Sequence, residues 1–437
     1  MTHLKRELGL PGAVLMGLGA MLGTGVFVSI GFGAGIAGPA VVLALLLAAG
    51  LATCNAFSSA QLAASHPVSG GTYEYGYRYL RPWLGFSAGW MFLCAKTASA
   101  ATAALGFAAY LLQLLGFGEG VHALVAGGAA ISITLLVLGG IRRSNVANVA
   151  IVSVTLAALV AFIVAGLPPV VASGTDRFVP LFGGADGGTS APAFFHATAL
   201  MFVAFTGYAR IATLGEEVRA PRRTIPRAIA WTLAVSAIVY VGVAIVGIGL
   251  LGADGFGRAA VGEAVPLVVA ARMVAAGWLA PLVAVGAATA MLGVLLNLVL
   301  GLSRVALAMG RQGDLPPRFA RVDAQRSTPS AAVVGVGIAV TALALTASIE
   351  TSWTFSAFTV LLYYAITNLA ALQLPDEDRL YPRTVAIIGL AGCLFLAWWV
   401  PVGIWMAGLA LLGLGLLWHV VVARRWRQAS TTTGRTG

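Results

Sequence analysis

The stretch Gly17–Gly35, GLGAMLGTGVFVSIGFGAG, decides how the rest of the chain is read. It lies inside an uncharged apolar run from Ala13 to Val42, yet it carries seven glycines, clustered most tightly at Gly23-Thr24-Gly25. A run of that length crosses ~30 Å of hydrocarbon at 1.5 Å per residue. In hydrocarbon a helix must satisfy its own backbone groups, so an interruption at mid-depth persists only where it is buried in protein or lines a polar cavity. The glycine cluster therefore marks a broken span with a binding site at the break. Close helix packing is the alternative: Gly19 and Gly23 have the small-xxx-small spacing that lets helices approach, and Gly31 and Gly35 fit packing best.

The remaining sequence supplies the matching solvent. Apolar residues make up 59% of the 437 positions and charged residues 9%, which defines an integral membrane protein. About twelve apolar runs of spanning length recur. They cover residues 12–36, 40–64, 84–114, 120–140, 145–167, 193–215, 226–251, 278–308, 331–348, 353–373, 382–399 and 402–422. The ten-residue alternation of an outer-membrane barrel is missing, so the predicted fold class is all-α.

Charge orients the bundle. With the N-terminus in the cytosol, 20 of the 26 basic residues fall inside, Arg177, Arg258 and Arg272 fall outside, and Lys96, Arg210 and Arg304 lie within spans. The positive-inside rule then places both termini in the cytosol of a multi-pass cell (inner) membrane protein. The net charge of +11 and the basic tail from 423 to 437 suit anionic lipid headgroups and give no reason to expect nucleic acid. The apolar run behind the basic N-terminal segment, residues 1–11, is too long for a signal peptide and reads as an uncleaved span. Cys54, Cys94 and Cys393 lack CxxC spacing, and the five histidines scatter to different span ends and loops, so no metal, cofactor or catalytic centre is expected. A channel would need a continuous polar pore lining, whereas the irregularities here concentrate at two midpoints.

The second midpoint is in span six, FVAFTGYARIATLGEEVRAP (202–221), where Thr206-Gly207 interrupts an aromatic helix and Arg210 follows within a turn. Interrupted first and sixth spans, five helices apart, point to inverted five-helix repeats with substrate at the breaks. Four ordered motifs then carry a family resemblance: GLGAMLGTGVF (17–27), HPVSGGTYEYGYRYLRPWLGFSAGW (66–90), FTGYARIATLGEEVRAPRRTIPRAI (205–229) and GLSRVALAMGRQGDLPPRF (301–319). Together they resemble the amino acid-polyamine-organocation (APC) family, most closely bacterial amino acid permeases related to the cationic amino acid transporters. The resemblance implies a LeuT-like fold: a first five-helix repeat over 12–167, an inverted second repeat over 193–373 and two appended helices over 382–422. It also implies that the segment before span three forms a short cytoplasmic linking helix, and that PLVVAARM (266–273) forms an outer lid.

Helix-end electrostatics and the resemblance name the same site. Span one's inner half ends with free carbonyls near Met21 and Leu22, which suit an ammonium group. Its outer half starts, just past Gly23, with free N–H groups around Thr24, Gly25 and Val26, which suit a carboxylate. Span six adds carbonyls of Phe202, Val203 and Thr206, with Gly207 at the interruption. An α-amino acid zwitterion fits this cradle. A side chain at Gly25, as in Gly25→Leu, is expected to crowd the N–H groups and abolish binding without unfolding the protein.

Selectivity follows from what surrounds the cradle. No acidic residue maps to midplane, and Ala209 stands where many relatives carry an acid, so neutral, apolar L-amino acids are expected, with Phe202 and Phe205 as gate or pocket walls. A cationic amino acid or polyamine permease, or an exporter, is the alternative. For coupling, relatives place a lysine on span five where a sodium ion would sit, and the matching position here is Val154, which cannot titrate. Span eight offers few hydroxyls, so H+ is the expected coupling ion. Lys96 is the candidate carrier, because burial penalises a charged amine, with snorkelling to the membrane surface as its alternative. Arg210 is expected to pair with Glu216 or Glu217, or to act as an electrostatic gate. The partners are thus a small amino acid and the bilayer.

Overall fold

In this computed structural model, residues 9–66, 70–117, 119–139, 144–182, 190–212, 218–262, 264–323 and 328–423 are described. The N-terminal segment through Leu8, the tail beyond Ala423, and Glu216 and Glu217 lie outside them. The described residues are mostly helical, and an isolated β-bridge pairs Asp323 with Thr328. Eight helical runs among them are long and apolar enough to cross a membrane, and four shorter helices, Leu10–Met21, His122–Leu138, Ser330–Thr346 and Arg383–Trp398, are also apolar.

Helix α1 (Leu10–Met21) opens with Pro11 in its first turn and stops at Leu22, whose backbone turns extended (φ −78°, ψ 91°). The chain resumes as a π turn over Gly25–Ser29 and continues as α2 (Ile30–Ala37). Gly38, at φ +61°, and Pro39 then reverse the chain into α3 (Val41–Ser65). A positive φ is open to glycine at little cost, and proline removes the next helical donor. The short α4 (Thr72–Tyr79) leads to α5 (Pro82–Leu115), followed by α6 (His122–Leu138) and α7 (Ser144–Ala172).

Helix α8 (Ala191–Phe205) begins under a Ser190 cap, tightens to a 3₁₀ turn over Thr206–Tyr208 and continues as α9 (Ala209–Ala212). Helix α10 (Pro221–Val261) bends at Gly252, whose φ of +73° lies outside helical space. After it come α11 (Pro266–Arg272), α12 (Leu279–Arg311), α13 (Ser330–Thr346), α14 (Ile349–Leu372), α15 (Arg383–Trp398) and α16 (Val402–Trp418). The helix limits fall within a few residues of the predicted spans, and α7 and α10 extend furthest past them.

The core sits where α1, α5, α8, α12 and α14 meet. Helix α5 packs along α12 and α14, α10 along α2 and α3, α8 on α3, and α1 on α10 and α7. Helices α15 and α16 are peripheral, with long apolar side chains such as Ile387, Trp398 and Leu414 facing outward. Outward apolar surface on that scale is what a lipid environment requires.

Candidate functional site: a cradle between two broken helices

The breaks in α1–α2 and α8–α9 lie against each other. A Cβ on Gly207 would sit 2.5 Å from the Ala20 carbonyl oxygen, and one on Gly25 would sit 2.6 Å from the Ala204 Cβ. Gly23 is likewise pressed against Val294 of α12, at 2.6 Å. The glycines thus serve both readings, packing and interruption. The contact at Gly25 corrects the expectation for Gly25→Leu, because the added side chain meets Ala204 of α8 and disturbs the packing of the two breaks as well as any ligand.

Between the breaks lies a cavity of about 80 Å³. That is room for roughly half a dozen waters, or one small to medium amino acid. Met21, Gly23, Thr24, Gly25, Val203, Thr206, Gly207 and Ala209 all line it, as do Lys96, Arg210 and Arg304. Val294, Leu298, Phe92 and Trp353 complete its apolar walls, and Ser99 and Asn297 add polar groups.

The two poles of the cradle differ in how far the protein already satisfies them. At the first break, the N–H groups of Val26 and Phe27 both donate to the Gly23 carbonyl at 3.1 Å, so helix bonding resumes one residue earlier than expected. Val26 is therefore not a free donor. Among the described residues, the Gly23 N–H group reaches no backbone carbonyl. The Thr24 hydroxyl is buried on the cavity wall with no hydrogen-bond partner. An unmatched buried donor set of this kind is costly unless something occupies it, and a carboxylate is its natural complement.

The carbonyl pole, by contrast, is largely held by side chains that sequence reasoning missed. The Tyr240 hydroxyl on α10 reaches both the Met21 carbonyl, at 2.7 Å, and the Ala204 carbonyl, at 3.1 Å, bridging the two breaks. Tyr364 of α14 donates to the Thr206 carbonyl at 3.3 Å and the Trp353 indole to the Leu200 carbonyl at 3.1 Å. Tyr110 of α5 holds the Phe27 carbonyl at 2.7 Å. One signal was available: Tyr240 lies in the middle of the apolar span 226–251, and a buried phenol needs an acceptor.

Phe202 and Phe205 do not line the cavity. They are fully buried behind it, Phe202 edge-on to Tyr364 at 5.7 Å and Phe205 tilted on Tyr240 at 5.0 Å. The reason is helical spacing: at 3.6 residues per turn, Val203 and Thr206–Gly207 share one face of α8, and Phe202 and Phe205 share another. The phenylalanines brace the tyrosines that hold the carbonyls.

Lys96 is only 5% exposed, and its Nζ donates to the Thr206 hydroxyl at 2.7 Å. Thr206 in turn donates to the Val203 carbonyl at 2.8 Å, so a chain of hydrogen bonds ties α5 to the break in α8. The amine points into the protein, which removes the snorkelling alternative. Arg210, on the cavity wall, is 9% exposed; its expected partners Glu216 and Glu217 lie outside the described residues.

Val154 is 37% exposed on the outer surface of α7 and does not approach the cavity. The face of α7 turned toward α1 and α12 carries Asn148, which bonds the Leu15 carbonyl at 3.1 Å, and Ile151, which packs on Gly293. A single-residue shift of register rotates a side chain by 100° around a helix, and that separates Val154 from the inward face.

Comparison with known proteins follows the same lines. A family model described as amino acid permease matches residues 8–418. An uncharacterized transporter of Mycobacterium tuberculosis is 43% identical over 441 residues, covering 100% of this chain and 96% of its own length. A branched-chain amino acid permease of Bacillus subtilis is 32% identical over 426 residues, 90% of this chain and 88% of the relative. A vacuolar cationic amino acid transporter of Arabidopsis thaliana is 28% identical over 411 residues, 88% of this chain and 62% of the relative.

Proposed function

Because this chain belongs to the amino acid permease family, and is therefore a multi-pass membrane transporter and not an enzyme, we propose that it carries neutral, mainly apolar L-amino acids. The observation behind this substrate class is the cavity wall. It holds the Lys96 ammonium against Thr206, and no Asp or Glu occurs among the described residues lining it. A cationic side chain would meet like charge with no carboxylate among the described residues of the wall, whereas Val203, Val294, Leu298 and Phe92 offer apolar contact. The similarity to a branched-chain amino acid permease agrees with this reading.

The carrier works by alternating access on a LeuT-like frame of twelve spans, in which α1–α2 and α8–α9 are the broken first and sixth. Two packing relations support the inverted repeat: α1 against α10 has its counterpart in α8 against α3, and α5 against α14 has its counterpart in α12 against α7. These are the pairs that exchange when five helices are turned over onto the next five. Basic loops put the α4 side and both termini in the cytosol of the cell membrane.

Coupling is assigned to protons or to exchange, with Lys96 as the proton-sensitive group. An amine tied to the α8 break favours one gate arrangement when charged and another when neutral, so protonation biases the cycle through its differential interaction with the two.

Uptake into proteoliposomes tests the reading. Leucine, valine or alanine should compete better than arginine, lysine or putrescine, without sodium, and an inward proton gradient should accelerate transport. Lys96→Met should still bind amino acid but lose that acceleration. Best competition by arginine overturns the substrate class, and strict sodium dependence or an unchanged proton response in Lys96→Met removes the amine from coupling.

A further inference from the structure

The floor of the cavity is built where α4 meets the end of α12. Gly70, immediately before α4, lines the cavity together with Gly301, Arg304 and Val305 of α12, and a Cβ on Gly70 would touch Ala308 at 3.5 Å. A ligand leaving on this side passes the start of α4 and α12, with Ala20 of α1 and Arg210 of α9 as the other walls. Whatever joins those two elements therefore controls the exit.

Two side-chain contacts join them: Glu74 of α4 bonds Gln312 at the end of α12, and Asp314 holds two tyrosines of α4. Asp314, just beyond α12, is fully buried, and a single carboxyl oxygen, Oδ2, accepts the hydroxyls of Tyr73 at 2.7 Å and Tyr77 at 2.6 Å. The two tyrosines are four residues apart on α4, so they project from one face. The other carboxyl oxygen, Oδ1, lies 3.1 Å from His419 Nδ1 at the end of α16. A carboxylate only accepts, so the imidazole donates there. The Trp418 indole donates to the Asp314 backbone carbonyl at 2.9 Å, and the His419 ring lies on Phe86 at 4.6 Å. Helix α16 is otherwise peripheral, with Gly408 and Gly415 as its buried residues. Its last turn is nonetheless fastened to the loop that closes the cavity.

Helix α4 is bound as tightly to α5: a Cβ on Gly76 would sit 2.5 Å from the Gly85 Cα, and one on Gly89 would sit 2.6 Å from the Tyr73 ring. Glycine-on-glycine contact of this kind makes α4 and the start of α5 move together. Opening on the α4 side then separates α4–α5 from the end of α12, and the Tyr73 and Tyr77 bonds to Asp314 lie across that separation. Charge-assisted hydrogen bonds are among the stronger ones a buried site can hold. They stabilise the closed floor and are lost in the open one.

We infer that Asp314, with Tyr73, Tyr77 and His419, is the latch of the exit on the α4 side, and that the appended helix α16 sets its strength by holding the second carboxyl oxygen. This rests on the carrier reading but not on the identity of the amino acid. Asp314 touches no ligand; it is a positioning residue for the gate.

Sided labelling tests the latch. Gly301→Cys places a thiol on the cavity wall where a Cβ meets no atom within 4 Å, in a background with Cys54→Ala and Cys94→Ala. A membrane-impermeant maleimide is applied to inside-out and right-side-out vesicles. Asp314→Asn, or Tyr73→Phe with Tyr77→Phe, should raise the labelling rate from the α4 side by at least on the order of tenfold, the factor expected for each charge-assisted hydrogen bond lost from the closed state alone. Labelling from the opposite side should fall. His419→Gln should give a smaller shift in the same direction. If Asp314→Asn fails to fold, Tyr77→Phe alone removes one donor and carries the test. A folded variant with a lower melting temperature but unchanged labelling on both sides overturns the latch, since a purely structural contact behaves that way. A shift that no amino acid suppresses leaves the latch standing and refutes only the substrate reading.

Discussion

Tyr240→Phe isolates the role of one hydroxyl that joins the two broken helices. The phenol carries one proton but faces two carbonyl oxygens, of Met21 at 2.7 Å and Ala204 at 3.1 Å. It satisfies them in alternation, so its removal deletes one hydrogen bond and leaves two buried acceptors bare. The ring remains packed on Phe205, so the transfer term of a larger truncation is absent. An unsatisfied buried acceptor costs about 1–3 kcal/mol in soluble cores, and hydrogen bonds inside membranes average nearer ~0.6 kcal/mol, so about 1–2 kcal/mol is the expected loss. That energy holds the cradle in its ligand-ready arrangement. Its loss lowers the fraction of competent molecules and weakens apparent affinity by roughly five- to thirtyfold. The assay is titration of purified protein with leucine, followed by ligand-dependent thermal stabilisation, on wild type and variant side by side. A melting temperature lowered by a few degrees with an affinity within twofold of wild type would refute the reasoning, because the bond would then serve the fold and not the cradle.

Three further outcomes follow from the same geometry. Gly207→Ala drives a methyl to 2.5 Å from the Ala20 carbonyl oxygen and 2.6 Å from its carbon, backbone that cannot yield; stability should drop by about 1–3 kcal/mol, with binding lost in a thermal-shift titration. Gly25→Ala should be similarly harmful, and Ala204→Gly in the same chain should restore part of the melting temperature, since the clash is chiefly with that methyl at 2.6 Å; no rescue would mean that the damage lies elsewhere. Val154→Ala, on the outer surface of α7, should leave uptake within twofold of wild type, whereas Asn148→Ala, which frees the Leu15 carbonyl, should lower stability by about 1 kcal/mol.

The breaks were legible because their cause is written in residue types. Glycine clusters at mid-depth, flanked by apolar residues of high helix content, have few other uses, and both Gly23-Thr24-Gly25 and Thr206-Gly207 lie where the helices stop being α. Lys96 was legible for a similar reason: a lone amine deep in a span needs a reason to be there. The Asp314 latch was not, since its partners stand 241, 237 and 105 residues away and only the folded chain brings them together. Val154 was misplaced because α7 has no break from which to index its face. The carbonyl-holding aromatics were passed over because a tyrosine or tryptophan in an apolar span looks like a core filler until its acceptor is known.

Those aromatics also bear on the proposed cradle, which on this reading favours one end of a zwitterion. Breaking a helix frees carbonyls on one side and N–H groups on the other, and the bilayer interior supplies water to neither. Here the carbonyls of Met21, Ala204 and Thr206 at the breaks are served by Tyr240 and Tyr364. The Gly23 N–H group and the Thr24 hydroxyl have no such attendants among the described residues. A structure that satisfies its acceptors from within and leaves its donors bare is shaped for a ligand that brings acceptors. The carboxylate thus supplies what the fold lacks, while the ammonium group competes with Tyr240 for carbonyls that are already shared.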